Sequence, residues 1–169
     1  ISVSTLGFAA GGAAAGLTYD LALRQTPLSL LPWWMGMLMV VLIAFAAADA
    51  LSARLWAAVP LTLLIALSLH CANALPDIDD DRRAKRRSLP VLLGKRSSLA
   101  IALAGVLLAA LVAQVVGVGS RPVLLLRVAG AVASITVLLA ATLWRERPFP
   151  VLACGVAVLA VAWLANVVA

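Results

Sequence analysis

Asn73, Asp77 and Asp81 stand four residues apart in a chain made mostly of Ala, Leu and Val. On a helix this spacing puts all three on one face, each about 6 Å along the axis from the last. Two carboxylates at that pitch can each offer an oxygen to a small hard cation. Mg²⁺ suits them best, because one or two carboxylates hold it while waters and substrate phosphates complete its octahedron. Asn73, one turn deeper, adds a neutral group for a phosphate or a metal-bound water. Arg82, Lys85, Arg86 and Arg87 follow the acids and can neutralise phosphate oxygens beside the metal. Acid followed by base reads as a cradle for a diphosphate. The plainer alternative is a solvated loop whose bases fix membrane topology and whose acids balance them.

This polar stretch, residues 73–90, holds four of the seven acids and five of the thirteen bases. The elements around it are apolar. With 169 residues, 64% hydrophobic and only 12% charged, and a mean hydropathy of +1.11, the chain reads as an integral membrane protein. A spanning helix takes about 20 residues plus a loop, so roughly six fit. The expected fold is an all-α, polytopic transmembrane bundle forming one membrane domain over 1–169. The strict alternation of a membrane β-barrel is absent. A net charge of +6 raises nucleic acid as a partner, yet the bases lie in loops between apolar runs, where topology explains them, and nucleic acid is set aside. Cys71 and Cys154 fall inside apolar runs and support neither a disulfide framework nor a zinc site.

Six apolar runs are expected at 1–18, 33–48, 55–75, 98–118, 123–143 and 149–168. The first carries Gly7, Gly11, Gly12 and Gly16, small residues that let helices approach closely in lipid, and is expected to pack centrally. Residues 19–29 form a polar connector, 49–54 a short turn, 117–122 a Gly- and Pro-containing turn, and 144–148 a charged one. Trp33, Trp34, Trp56 and Trp144 fall near span ends and read as interfacial anchors, while Trp163 lies deeper and reads as packing. With six spans the loops alternate between two faces. One face collects Arg24, Arg82, Arg83, Lys85, Arg86, Arg87, Lys95, Arg96, Arg145 and Arg147, the other Arg54, Arg121 and Arg127. Ten against three places the central loop in the cytoplasm and both chain ends on the far side. The chain opens at Ile1 with no Met and no basic leader, already inside a span, and reads as a fragment or processed chain.

Other polar residues read as structural. His70, a lone His beside Cys71, is expected to be a packed or interfacial side chain. Gln114 and Asn166 are expected to hydrogen-bond between helices. Arg127 can snorkel to its face, and Asp49 is expected only to end a helix. Asp79 and Asp80 point away from the Asp77 and Asp81 face if the helix continues, and read as supporting or solvated.

Asn73-x-x-x-Asp77-x-x-x-Asp81, followed by Arg86-Arg87-Ser88-Leu89-Pro90-Val91-Leu92-Leu93-Gly94, resembles the second aspartate-rich motif of the intramembrane prenyltransferases, the UbiA superfamily. The paired acids alone are a weak signal, and the Arg-Ser-Leu-Pro-Val-Leu-Leu-Gly tail makes it specific. Residues 19–29, with Tyr19, Arg24 and Thr26-Pro27-Leu28-Ser29, resemble the loop after the family's fourth helix, where a Tyr and a basic residue serve the active site. The resemblance covers the whole chain and makes its six runs helices four through nine of nine. The family's first motif, of the Asn-Asp-x-x-Asp type, has no counterpart before Tyr19. Either the protein begins upstream of Ile1 or it has lost activity, and the missing Met and the mid-span start favour the former. Lys85 is a smaller departure, since relatives often carry Gly there to allow a turn with positive φ, which Lys resists.

The resemblance implies Mg²⁺-dependent transfer of an isoprenyl group from a prenyl diphosphate to an acceptor, usually aromatic and often a quinone precursor, within the membrane lipid. In that scheme Asp77 and Asp81 hold one Mg²⁺ and are catalytic, with Tyr19 lining the reacting centre near the allylic carbon. Asn73, Arg24, Arg82, Lys85 and Arg86 bind the diphosphate. Heavy Ala, Leu and Arg usage points to a bacterial gene and hence to the inner membrane. Two other classes share parts of this pattern. A CDP-alcohol phosphotransferase also needs Mg²⁺ and clustered Asp, but its acid motif contains an Asp-Gly, and 77–87 has no Gly. A transporter or inert bundle would place its polar groups near the membrane midplane rather than at a helix end.

Overall fold

Apolar runs of this length become helices in lipid because every backbone N–H and C=O must find its partner within the segment. The computed structural model describes residues 2–116, 123–143 and 146–168, which form helices joined by short turns, with no strand among the described residues. In chain order they are α1 (Val3–Thr18), α2 (Leu30–Ala47), α3 (Ala58–Ala74), α4 (Ile78–Arg83), α5 (Leu89–Val116), α6 (Val123–Thr142) and α7 (Phe149–Val168). Six are long, and α4 is a short continuation of α3. Val3–Leu23, Pro27–Ala47, Leu55–Arg83 and Leu89–Val115 are long and apolar enough to cross a membrane, while Leu126–Thr142 and Phe149–Ala165 are shorter apolar helices. The chain is an all-helical membrane bundle.

One expected boundary moves substantially. α5 begins at Leu89, not near 98, because the segment after the central loop is itself helical up to a kink at Gly94, whose φ is 79°. Pro90 falls in the first turn, where its missing N–H costs nothing. The 117–122 turn, with Trp144 and Arg145, lies outside the described residues, as does the side chain of Asn166.

The core lies where α3 meets α5, and small residues bring the two backbones together. A Cβ on Gly105 would stand 2.8 Å from Ser68 Cβ and 3.1 Å from the Leu64 carbonyl. Ser68 Oγ donates to the Ala102 carbonyl across this contact, and Ala66, Ala72, Ala102 and Ala109 are fully buried. α7 packs on α6 in the same manner, with Gly155 over Ala133 and Thr136. Trp163 is buried with its ring centroid 6.4 Å from that of Phe45, so it does pack. Gln114 does not reach across as expected: its amide donates to Ala110 in its own helix and lies over Gly130 of α6.

The first helix is not central. α1 packs on α2, and no residue of α1 is buried. Its glycines allow close approach without dictating the partner: Gly11 and Gly12 meet Met39, whereas Gly7 and Gly16 meet nothing. Of the tryptophans read as anchors, Trp56 is exposed, but Trp34 ties α2 to α3 by donating to Thr62 Oγ1 at 3.2 Å. Asp49 does end α2, in the left-handed conformation with φ 53°.

Three connections share one end of the bundle. Arg87 N–H donates to the Gln25 carbonyl at 3.1 Å, which fastens the central loop to the 19–29 connector. Glu146, between α6 and α7, lines a pocket with Leu75, Lys95 and Arg96.

Candidate active site

The 19–29 connector is shaped by its own turns. α1 runs on as a π-helical turn, Tyr19–Leu23, in which Arg24 N–H reaches the Tyr19 carbonyl at 2.8 Å. Such wide turns recur at functional sites because they re-aim side chains. Thr26 then caps a 3₁₀ turn, Pro27–Ser29, accepting from Leu28 N–H. The result faces Tyr19, Arg24 and Gln25 toward the end of α3.

Beyond Ala74 the third helix must pass Pro76, which has no N–H to give and crowds the preceding turn. It tightens into a 3₁₀ turn, Leu75–Asp77, and resumes as α4. Ile78 and Leu75 are buried and fix the rotation of this segment. Asn73, Asp77 and Asp81 all line one polar pocket, together with Tyr19, Arg24, Gln25, His70, Arg86 and Ser88. Arg82 and Lys85 do not line it. Arg82 instead donates to the Val91 carbonyl at 3.3 Å and lies against Gly94. Lys85 occupies the left-handed region at φ 58°, so the turn expected to need Gly forms with Lys, at a steric cost.

Charge pairing separates the four acids. Asp79 meets Lys95 Nζ at 2.8 Å, Asp80 pairs with Arg83, and Asp81 meets Arg86 Nη1 at 2.7 Å. Asp79 and Asp80 thus serve the loop, as their direction on the helix implied. Among the described residues Asp77 forms no ion pair. It is the acid left to the pocket.

Three residues here carry more than the sequence revealed. His70 is 3% exposed and its Nε2 lies 3.0 Å from Ser29 Oγ, which is fully buried and also accepts from Leu89 N–H at 3.2 Å. Ser29 therefore joins the connector, α3 and the start of α5. Trp33 packs among aromatics: its ring centroid is 5.3 Å from that of His70 and 6.3 Å from that of Tyr19. The signal for His70 was its place three, seven and eleven residues before Asn73, Asp77 and Asp81, on the same helix face. On its far side Tyr19, with Trp33, borders an apolar groove of about 530 Å³ between α1 and α2, lined by Gly12, Gly16, Gly36, Met37 and Met39 among others.

Set against families of known proteins, residues 1–169 match the UbiA prenyltransferase family. The chain belongs to that family. No curated protein and no solved structure matches it. Membership makes it an intramembrane prenyltransferase in general terms, of a family that acts on a prenyl diphosphate and an acceptor in the membrane and generally uses Mg²⁺-bound diphosphate.

Asn73, Asp77 and Asp81 line the UbiA chain's pocket with an all-oxygen set of two carboxylates and an amide carbonyl, donors of the kind that a hard cation takes when waters and substrate oxygens supply the rest of its shell. Among the described residues no group of three or more His, Cys, Asp and Glu side chains is placed to hold a metal by itself.

Proposed function

We propose that this pocket is where the chain transfers an isoprenyl group from a prenyl diphosphate to an aromatic acceptor, with Mg²⁺ between protein and diphosphate. The observation that supports it best is Asp77, the acid of the cluster without an ion pair among the described residues, in a pocket that Asp81, Arg24 and Arg86 also line. In this reading Asp77 and Asp81 would hold the ion, and Asn73 would bind a phosphate oxygen or a metal-bound water. Bound there, Mg²⁺ supplies positive charge to the departing diphosphate.

The chain's own groups do the rest. Arg24 and Arg86 donate to phosphate oxygens, most strongly as the allylic C–O bond breaks and its electron pair leaves with the diphosphate. Tyr19 borders both the polar pocket and the apolar groove, so its ring faces the allylic carbon where positive charge develops. The groove between α1 and α2 takes the prenyl tail and keeps water from the carbocation until the acceptor carbon forms the new C–C bond and sheds its proton. Arg82 and Lys85, read from sequence as phosphate ligands, act in this account through loop shape and field.

The same reading places the pocket at the cytoplasmic face of a bacterial inner membrane, because the loops around it carry most of the bases, and treats 1–169 as one membrane domain corresponding to helices four through nine. Asp77→Ala in the full-length protein tests the assignment. Loss of Mg²⁺-dependent turnover is expected, and Asp77→Glu, whose longer arm displaces the ion, should still cost activity. Near-normal turnover in Asp77→Ala would remove the site from this pocket.

A further inference from the structure

A second polar cavity at this end of the bundle shares no residue with the pocket around Asp77. Its volume is about 300 Å³, and it is lined by Leu75, Lys95, Arg96, Leu99 and Glu146. Three segments supply them: the turn after α3, the stretch of α5 just past the Gly94 kink, and the turn between α6 and α7. Pro148, fully buried two residues beyond Glu146, anchors that last turn to the bundle. Among the described residues Lys95 meets Asp79 at 2.8 Å, and neither Arg96 nor Glu146 forms an ion pair. A cation and an anion thus line one cavity without pairing, which leaves room between them for a ligand that bears both signs.

Charge and depth decide which ligand. Asp79 already answers Lys95, so the charges around the cavity cancel, and a simple anion such as inorganic phosphate would sit against two carboxylates. A phosphate ester that also carries an ammonium group meets both demands: Lys95 and Arg96 donate to its phosphate oxygens, and Glu146 accepts from its N–H groups. The apolar side shows where the rest of the molecule goes. Leu99 follows Lys95 by four residues, one turn further along α5, and Leu103 and Leu107 continue the row at the same spacing, with Leu107 42% exposed. α5 is long and apolar enough to cross a membrane, so this row leads from the charges into the hydrocarbon. A headgroup in the cavity lays an acyl chain along it.

We infer that this cavity binds a membrane phospholipid whose headgroup is a phosphate–ammonium zwitterion with N–H donors, that of a phosphatidylethanolamine. Lys95 and Arg96 hold the phosphate, Glu146 holds the ammonium, and Leu99 begins the path of the acyl chain. A quaternary ammonium has no N–H for Glu146, and a glycerol headgroup has no positive charge, so neither phosphatidylcholine nor phosphatidylglycerol replaces it in full. The inference does not depend on the chemistry at Asp77.

The full-length protein in detergent, stripped of lipid, is offered the dioleoyl forms of phosphatidylethanolamine, phosphatidylcholine and phosphatidylglycerol one at a time, and bound lipid is counted by native mass spectrometry. Wild type should hold phosphatidylethanolamine about tenfold more tightly than either of the others, the effect of one charged hydrogen bond. Glu146→Gln should erase the preference over phosphatidylcholine. Arg96→Gln should weaken phosphatidylethanolamine and phosphatidylcholine alike, by about tenfold. Both side chains are exposed and outside any ion pair among the described residues, so the melting temperature of the lipid-free protein should hold in both variants. A wild type with no preference among the three lipids, or with a preference for phosphatidylglycerol, overturns the inference before any variant is made. So does a Glu146→Gln protein that keeps the preference. O-Phosphoethanolamine, the headgroup without acyl chains, separates the two sources of this chemistry: it should not displace the lipid at equal concentration, and displacement would make the ligand a soluble one and remove the membrane from the account.

Discussion

Arg86 Nη1 lies 2.7 Å from Asp81 Oδ1 at the polar pocket, so one of the two carboxylates proposed to hold the metal is engaged by a base from the same loop. The pair is partly exposed and contributes at most about 1 kcal/mol to folding. Under the proposed function its use would be in binding, where an arriving diphosphate would give the guanidinium a better partner and free the carboxylate for the ion. Arg86→Gln should raise KM for the prenyl diphosphate by about tenfold, with the melting temperature in detergent unchanged. A melting temperature that falls while KM holds would make the pair structural.

Gly94 stands at φ 79°, and a Cβ there would come within 3.4 Å of Arg82 Nη2. The kink it makes interrupts α5 beside the place where Arg82 donates to the Val91 carbonyl. Gly94→Ala should destabilise the protein by about 1–2 kcal/mol, mostly through backbone strain. Thermal unfolding in detergent reads this directly.

Lys85 is the opposite case, a side chain at φ 58° where glycine is at ease. Lys85→Gly should stabilise the loop by about 1 kcal/mol, and it should leave KM for the diphosphate nearly unchanged because Lys85 does not line the pocket. A marked rise in KM would return Lys85 to the phosphate ligands.

Ser29→Ala removes the acceptor for Leu89 N–H and the partner of His70 in one step, in a fully buried position. About 2 kcal/mol of stability should be lost, because two buried groups are left unpaired. Ser29→Thr, which keeps the hydroxyl, should recover a large part of it.

The sequence made the acid face legible because a spacing of four survives the tightened turn at Pro76. Asn73, Asp77 and Asp81 share a pocket although the segment between them is not regular α-helix. The start of α5 was not legible, since residues 89–93 make too short an apolar run and a glycine with positive φ separates them from the rest. Nor was the place of α1: small residues permit close approach but do not say to which neighbour. His70 and Ser29 were hidden for a different reason. They are forty-one positions apart, and nothing local marks a pair that only the fold brings together. The packing of Trp33 against Tyr19 and His70 is likewise a tertiary contact that nothing local in the sequence marks.

The most direct test is titration of geranylgeranyl diphosphate into the full-length protein with and without Mg²⁺, in wild type and in Asp77→Asn. The account predicts binding that needs Mg²⁺ in the wild type and weakens about 100-fold or more when the carboxylate becomes an amide. Equal affinity for the two proteins, or affinity indifferent to Mg²⁺, would contradict it.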